Sequence, residues 1–172
     1  QSLNFVVPTE FVELPSEGKY YPSDHPLHNQ KTVEIKFMTA KEEDILSSEA
    51  LLKNNLVIDR LIESLLVQDV QVETLLLGDR SAILMAARIS GYGNEYKVIH
   101  KCRKCFHENK TSFDLLNHTV NKDCLSEDFL QSKGVVYNDD TLTLDLTLPA
   151  SGVEIGLRIM TGQLEKQFSD SE

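Results

Sequence analysis

Cys102 and Cys105 are the residues in this chain whose type and spacing point most directly to chemistry. Two thiols separated by two residues on a tight turn can grip one metal ion from the same side, which is half of a zinc ribbon. A complete site needs four ligands. The sequence offers Cys124 as a third and His107 as a fourth, with His100 and His118 as further choices for that position. Arg103 and Lys104 lie between the cysteines, where their charge favours the thiolate with or without a metal. The pair therefore admits three readings: a zinc site, a degenerate knuckle that keeps the turn without the ion, and a redox pair. The last fits least, because no thioredoxin-like strand–helix unit surrounds it. His25 and His28, in Asp24-His-Pro-Leu-His28, read as loop residues with at most adventitious metal affinity.

Signatures of catalysis are missing from the sequence. It has no phosphate-binding glycine loop, no His-Glu-x-x-His helix and no Gly-x-Ser-x-Gly elbow. Carboxylate pairs such as Glu42-Glu43 and Asp139-Asp140 are adjacent rather than spaced to face each other across a substrate, and are expected in solvent. Asp79, Arg80 and Arg88 fall on one predicted helix and are expected to form a structural ion pair, since a partly buried arginine needs a carboxylate partner. The chain is expected not to be an enzyme.

These residues need elements to hold them. The chain has 172 residues, 41% of them apolar and 26% charged, enough for an ordinary core. No apolar run is long enough to cross a bilayer, and residues 1–11 lack a secretory pattern, so a soluble protein made in a cytoplasm is expected. The formal net charge of −10 repels phosphate backbones, which sets nucleic acid aside as a partner. The charge is uneven, however. Lys97, Lys101, Arg103, Lys104 and Lys110 meet only Glu108 between positions 97 and 110, whereas acidic residues dominate from Phe113 onward.

Prolines at 8, 15, 22 and 26 block a long helix in residues 1–31. That stretch is nevertheless rich in large apolar side chains, and an extended arm packing on this subunit or on a neighbour is predicted. Truncation through residue 12 is expected to leave a folded domain. Val33-Glu-Ile-Lys-Phe37 alternates as a short strand. Thr39 and Glu42 have the spacing of a capping box, which predicts a helix over 40–52. Ile58, Leu61, Ile62, Leu65 and Leu66 mark the apolar stripe of a second helix. A third is predicted to open near Asp79 as its cap, to bury Ile83, Leu84 and Ala87, and to end at Gly91. Strands are predicted at 96–100 and 111–115 flanking the cysteine turn, and at 141–148 and 153–160, the former with Leu142, Leu144, Leu146 and Leu148 on one face. The fold class is α+β: an extended arm with a short strand (1–38), a three-helix unit (39–91), a small zinc-ribbon-like β-hairpin (92–118), and C-terminal antiparallel strands with a tail (119–172). Candidate partner-binding residues are Leu3, Phe5, Val7 and Phe11 on the arm, with Lys101, Arg103 and Lys104 on the knuckle.

Several stretches, in order, resemble the baseplate hub family of T4-type bacteriophages, also described as hub assembly chaperones. They are Leu14-Pro-Ser-Glu-Gly-Lys-Tyr-Tyr-Pro22, Met38-Thr-Ala-Lys-Glu-Glu-Asp-Ile-Leu46, Leu77-Gly-Asp79-Arg80 with Arg88 and Gly91-Tyr-Gly93, then Tyr96, the cysteine pair and Phe113-Asp-Leu115. The resemblance implies a structural or assembly protein of a contractile tail, binding other hub and tail proteins and carrying no catalysis. It implies assembly in the host cytoplasm and a possible place in the virion. Where family members carry Cys-Pro-x-Cys-Gly, this chain has Cys102-Arg-Lys-Cys105-Phe106, without the glycine that eases the turn. The alternative reading from the residues is a zinc-ribbon adaptor contacting nucleic acid or another protein.

Overall fold

Alternation of Val33 and Ile35 with charged neighbours gives strand β2 (Thr32–Lys36), both apolar side chains fully buried. Its antiparallel partner β1 (Thr9–Glu13) comes from the segment expected to be irregular. Thr9 pairs with Lys36 and Glu13 with Thr32, and Val12 turns inward while Phe11 stays 70% exposed. The computed structural model describes residues 7–118 and 126–169. Leu3 and Phe5 lie outside the described residues.

Residues 14–31 join the two strands, and they are core rather than arm. Leu14, Tyr20, Tyr21 and Leu27 are all buried. The loop closes on itself through Leu14 N–H to the Lys31 carbonyl (2.8 Å) and Asn29 N–H to the Gly18 carbonyl (2.9 Å). Gly18 has φ +73°, and a Cβ there would sit 2.4 Å from Gln30 N and from the Leu27 carbonyl oxygen. No other residue fits that position.

Helix α1 (Ala40–Ser47) starts at the capping box read from the sequence: Glu42 accepts from Thr39 N–H at 2.8 Å, and Lys41 N–H donates to the Thr39 hydroxyl. Buried Glu42 also takes the Ser64 hydroxyl at 2.6 Å, tying α1 to the next long helix. The single helix expected over 40–52 is two, with α2 (Glu49–Lys53) following a break at Ser48. Ser47 spends its hydroxyl on the Glu43 and Asp44 carbonyls, and Ser48 is extended, so the serines end the first helix.

Helix α3 (Val57–Leu65) buries Val57, Leu61, Ile62 and Leu65. The stripe is rotated from the expected one: Val57 is inside and Ile58 is 38% exposed. After α3 the chain bridges Leu66 to Ile35 at the edge of β2. A short 3-10 turn (Val72–Thr74) leads to α4 (Leu77–Tyr92), which buries Asp79, Ile83 and Ala87. Gly93, with φ +79°, ends α4 in place of Gly91, which lies within the helix. A Cβ on Gly91 would meet Met38 Sδ at 2.8 Å, so that glycine permits close packing instead of termination.

Strands β3 (Glu95–Lys101) and β4 (Glu108–Asp114) form the expected antiparallel hairpin. Beyond it come helix α5 (Glu127–Ser132), then β5 (Val136–Asn138), β6 (Thr143–Thr147) and β7 (Glu154–Arg158) in one antiparallel sheet of that order. Strand β5 had no counterpart among the sequence expectations. Leu142 has φ +55° and sits in the turn ahead of β6, so the leucine alternation is shorter than the sequence suggests. Helix α6 (Gly162–Ser169) closes the described chain. The C-terminal part docks on the core by backbone bonding: Leu77 N–H donates to the Met160 carbonyl, and Gly162 N–H to that of Leu75. Tyr137 packs edge-on against Tyr20 at 5.0 Å. Among the described residues no core side chain comes from the β3–β4 hairpin.

Leu65→Ala is expected to cost roughly 2–5 kcal/mol in denaturant unfolding, because the fully buried site has little room to collapse. Ile58→Ala should cost about 1 kcal/mol or less, reversing the ranking that the sequence stripe implies. Deleting residues 1–12 removes most of β1 and the buried Val12 side chain, so the truncated chain is expected to lose stability instead of keeping the folded domain anticipated from the sequence. The thermal midpoint should fall by roughly 5–15 °C, and an unchanged melt would contradict the pairing.

Candidate functional site

Strand β3 leaves α4 through Gly93, and Arg88 fixes its angle. The guanidinium donates to the Gly93 carbonyl (2.9 Å) and lies over the rings of Tyr92 (5.1 Å) and Tyr96 (5.8 Å). On β4, at the same end of the hairpin, Asp114 accepts from Asn94 Nδ2 (2.6 Å) and from Leu116 N–H (3.0 Å), bonds that hold its carboxyl below the usual carboxylate range. These contacts anchor the base. Register places Tyr96 opposite Phe113, so the two rings share a face, while Ile99 stands on the other face opposite Lys110. Tyr96, Phe113 and Ile99 are all exposed. Two strands with solvent on both faces are marginal on their own, and these also hold large apolar groups in water.

At the tip, Cys102 N–H donates to the His107 carbonyl (2.9 Å) and Phe106 N–H to the Cys102 carbonyl (2.8 Å). The Cys102 thiol titrates below its ordinary value: the backbone N–H groups of Cys105 and Lys104 are the main causes, followed by a hydrogen bond with the Cys105 thiol. Phe106 occupies the position of the missing glycine and adopts the left-handed conformation regardless, with φ +58° and 75% of its surface exposed. For a bulky aromatic that conformation costs about 1–2 kcal/mol. Lys101, Arg103 and Lys104 are exposed around it, Lys101 pairing with Glu108 at 3.3 Å.

Of the expected ligand set, Cys102 and Cys105 come together. The His107 imidazole does not join them in a metal-holding group among the described residues, and Cys124 lies outside those residues. His25 and His28 are engaged in the core loop. His25 accepts Leu27 N–H at Nδ1, meets the Thr74 hydroxyl at Nε2 and stacks on Tyr21, and burial lowers its pKa. His28 Nδ1 meets the Tyr21 carbonyl. Asp79, Arg80 and Arg88 do not pair with one another. Fully buried Asp79 accepts from Ser16 N–H (3.0 Å), the Ser16 hydroxyl (2.5 Å) and the Tyr21 hydroxyl (2.8 Å), and does not cap α4. Arg80 pairs with Asp59 (2.6 Å) and Glu165 (3.2 Å), and Lys166 adds a bond to Asp59 (2.8 Å), joining α3, α4 and α6.

On the expected arm contacts, Val7 and Phe11 are exposed. A further apolar face, absent from the sequence reading as a surface, lies on the C-terminal sheet. Leu144 pairs with Leu157 and Leu146 with Ile155, so all four share a face; Leu157 is exposed and the others are half-buried. Sequence alternation could identify the strand but not whether its leucines would be covered. The signal for Phe106 was the lost glycine itself. No helix among the described residues is long and apolar enough to cross a membrane.

The family model described as T4 bacteriophage base plate protein matches residues 7–171, nearly the whole chain. No curated protein and no solved structure matches.

Removing the Asp79 carboxylate strands the donors of Ser16 and Tyr21 in a dry interior. Asp79→Ala is expected to destabilise by roughly 3–5 kcal/mol in chemical denaturation, against a few tenths for a surface carboxylate. A small loss would mean that the three bonds do not hold the loop.

Proposed function

The chain belongs to the T4 bacteriophage base plate protein family, and we propose that within it this protein is a non-catalytic assembly subunit of the central hub, binding other hub subunits through the β3–β4 hairpin. A bacteriophage baseplate structural protein works by holding neighbours in register, so its functional groups should lie on surfaces, not in clefts. One observation carries the reading. Phe106 stands at the far end of a hairpin that contributes nothing to the core formed by the described residues, strained at φ +58° and 75% exposed. Strain and exposure both oppose folding, and a residue bearing both is explained by a contact made outside its own chain. Tyr96, Ile99 and Phe113 extend the apolar surface along the strands, and the basic residues at 101–104 orient it towards acidic neighbours. Val7 and Phe11 on the β1 side and the Leu144–Leu157 face are secondary contact surfaces in this reading. Assembly takes place in the host cytoplasm, and the subunit is retained in the tail.

Phe106→Gly separates folding from assembly because the two effects have opposite signs. Glycine relieves the left-handed strain, partly offset by its greater freedom when unfolded, for a net gain of about 0.5 kcal/mol in the hairpin. Amide exchange over β3 and β4 should slow. Co-expression with the other hub subunits of the same phage, followed by affinity capture, should show at least a tenfold loss of association, equivalent to about 1.4 kcal/mol. Undiminished capture would remove the hairpin tip from the binding surface.

A further inference from the structure

Strand β7 carries a pattern of charge and apolar side chains that complements itself when the strand is reversed. Ile155 and Leu157 flank Gly156, and Glu154 and Arg158 stand beyond them. β7 is also the open end of its sheet: the order is β5-β6-β7, and among the described residues nothing pairs with its outer edge. Leu148 N–H donates to the Val153 carbonyl at 2.8 Å, and bonded positions alternate along an antiparallel ladder. In that register Ile155 and Leu157 spend their backbone groups on β6, whereas Glu154, Gly156 and Arg158 aim theirs away from the sheet. Natural edges are blunted by very short length, proline, a bulge or a row of like charge. β5, the opposite edge, is three residues long. β7 has five residues in unbroken register, no proline, and one charge of each sign. Both charges are exposed, and neither has an ion-pair partner among the described residues.

We propose that β7 pairs antiparallel with β7 of a second copy of this chain, about a two-fold axis at Gly156, joining the two sheets into one. Symmetry sets the register. Gly156 faces its equivalent, Ile155 faces the partner's Leu157, and Glu154 faces the partner's Arg158, each pair occurring twice. Apolar and opposite-charge pairs directly across a ladder both stabilise it. The backbone agrees with the side chains, because the residues that meet at the bonded positions are the ones whose N–H and carbonyl groups point outward. Leu144 and Leu146 lie beside Leu157 and Ile155, so the seam also merges two apolar faces and covers Leu157, which is 50% exposed. The net charge of −10 opposes the approach of two bodies, but β7 itself is neutral and salt screens the repulsion beyond about 10 Å. A foreign strand could bond the same edge, but a copy of β7 supplies the charge match at both ends with no further condition. The inference is independent of the hub contact, which lies on β3–β4.

The test uses the full chain under reducing conditions, which remove cysteine cross-links, and reversals of the two edge charges. Sedimentation over concentrations on the order of 10–500 μM should show monomer passing to dimer, the range for a small interface. As concentration rises, amide exchange should slow at Glu154, Gly156 and Arg158 and stay constant at Ile155 and Leu157, which are already bonded to β6. Glu154→Arg sets two cations against each other at each end of the seam, and Arg158→Glu sets two anions. Either variant alone should self-associate about tenfold more weakly or worse. Mixed in equal amounts, the two should form a heterodimer at wild-type strength, because every reversed charge then meets its opposite. Recovery on mixing also shows that both variants are folded. Monomer at every concentration, wild-type self-association of either variant, or a mixture no stronger than its components would each overturn the proposal. Slowed exchange confined to β3 and β4 would overturn it as well.

Discussion

Asp79 is a carboxylate that solvent does not reach, and its charge is met by two hydroxyls and a backbone amide instead of a cation. A buried ionised group without compensation would cost several kcal/mol, so this arrangement persists only while every donor stays in place. Its position in the first turn of α4 helps, because the helix amides add positive potential there. The same bonds fix the loop between β1 and β2: Ser16 takes Gly18 N–H at 3.0 Å, and the Tyr21 hydroxyl takes Leu76 N–H at 3.1 Å. Burial and the Asp79 charge both keep the Tyr21 phenol protonated, as a donor to that carboxylate must be. Leu76 in turn bridges Thr161, which attaches the C-terminal segment. One carboxylate thus holds together the loop, the start of α4 and, through Tyr21, the seam to the last helix.

Rigidity at that centre permits a different design at the hairpin. α4 is pinned at its first turn by Asp79 and along its buried face by Ile83 and Ala87, so its last turn has a fixed direction. Arg88 transfers that direction to β3 through the Gly93 carbonyl and two aromatic rings. The hairpin can then project without a core of its own, supported by its ladder and by the Asp114 turn. Instability confined to such an element does not propagate, because breaking its contacts exposes little that the core needs covered. Strain at Phe106 is tolerable here in a way it would not be at Tyr21.

What the sequence revealed, and what it hid, divides along the same line. The Thr39–Glu42 box, the β3–β4 pairing and the cysteine turn depend on neighbours within a few residues, and each stood where the residues indicated. Features set by distant contacts were misread. Asp79 suggested a helix cap, yet its partners are 58 and 63 residues away in the chain. Gly91 resembled a terminator, and only its approach to Met38 explains why it is not one. Val57 and Ile58 each begin an acceptable apolar stripe, and only the start of α3 at Val57 decides between them. For the loop at 14–31 the residues left two choices open, packing on this subunit or on a neighbour, and the structure takes the first. Its prolines exclude a helix, but they do not say that the chain between them is inside. Legibility of the candidate site was similarly partial. The cysteines and basic residues were visible as types and spacing, whereas the exposure of Tyr96, Phe113 and Phe106 reflects the absence of a covering layer among the described residues.

Charge and apolar surface act on the hairpin at different distances, and the contact proposed for the tip draws on both. The body of the molecule is acidic, with a whole-chain net charge of −10, and two such bodies repel at long range. The segment 97–110 reverses that sign locally, so an approaching acidic surface meets attraction at one end of one element. Its ion pairs, Lys97–Glu95 and Lys101–Glu108, are exposed and add little to stability, which leaves orientation as their larger effect. Salt screens that guidance within about 10 Å, the scale over which apolar contact takes over. In the proposed function, affinity comes from Phe106 and the rings behind it, which lose water on contact with a partner. The strain, the exposure and the reversed charge coincide on one hairpin, and none of the three is needed to keep the core folded.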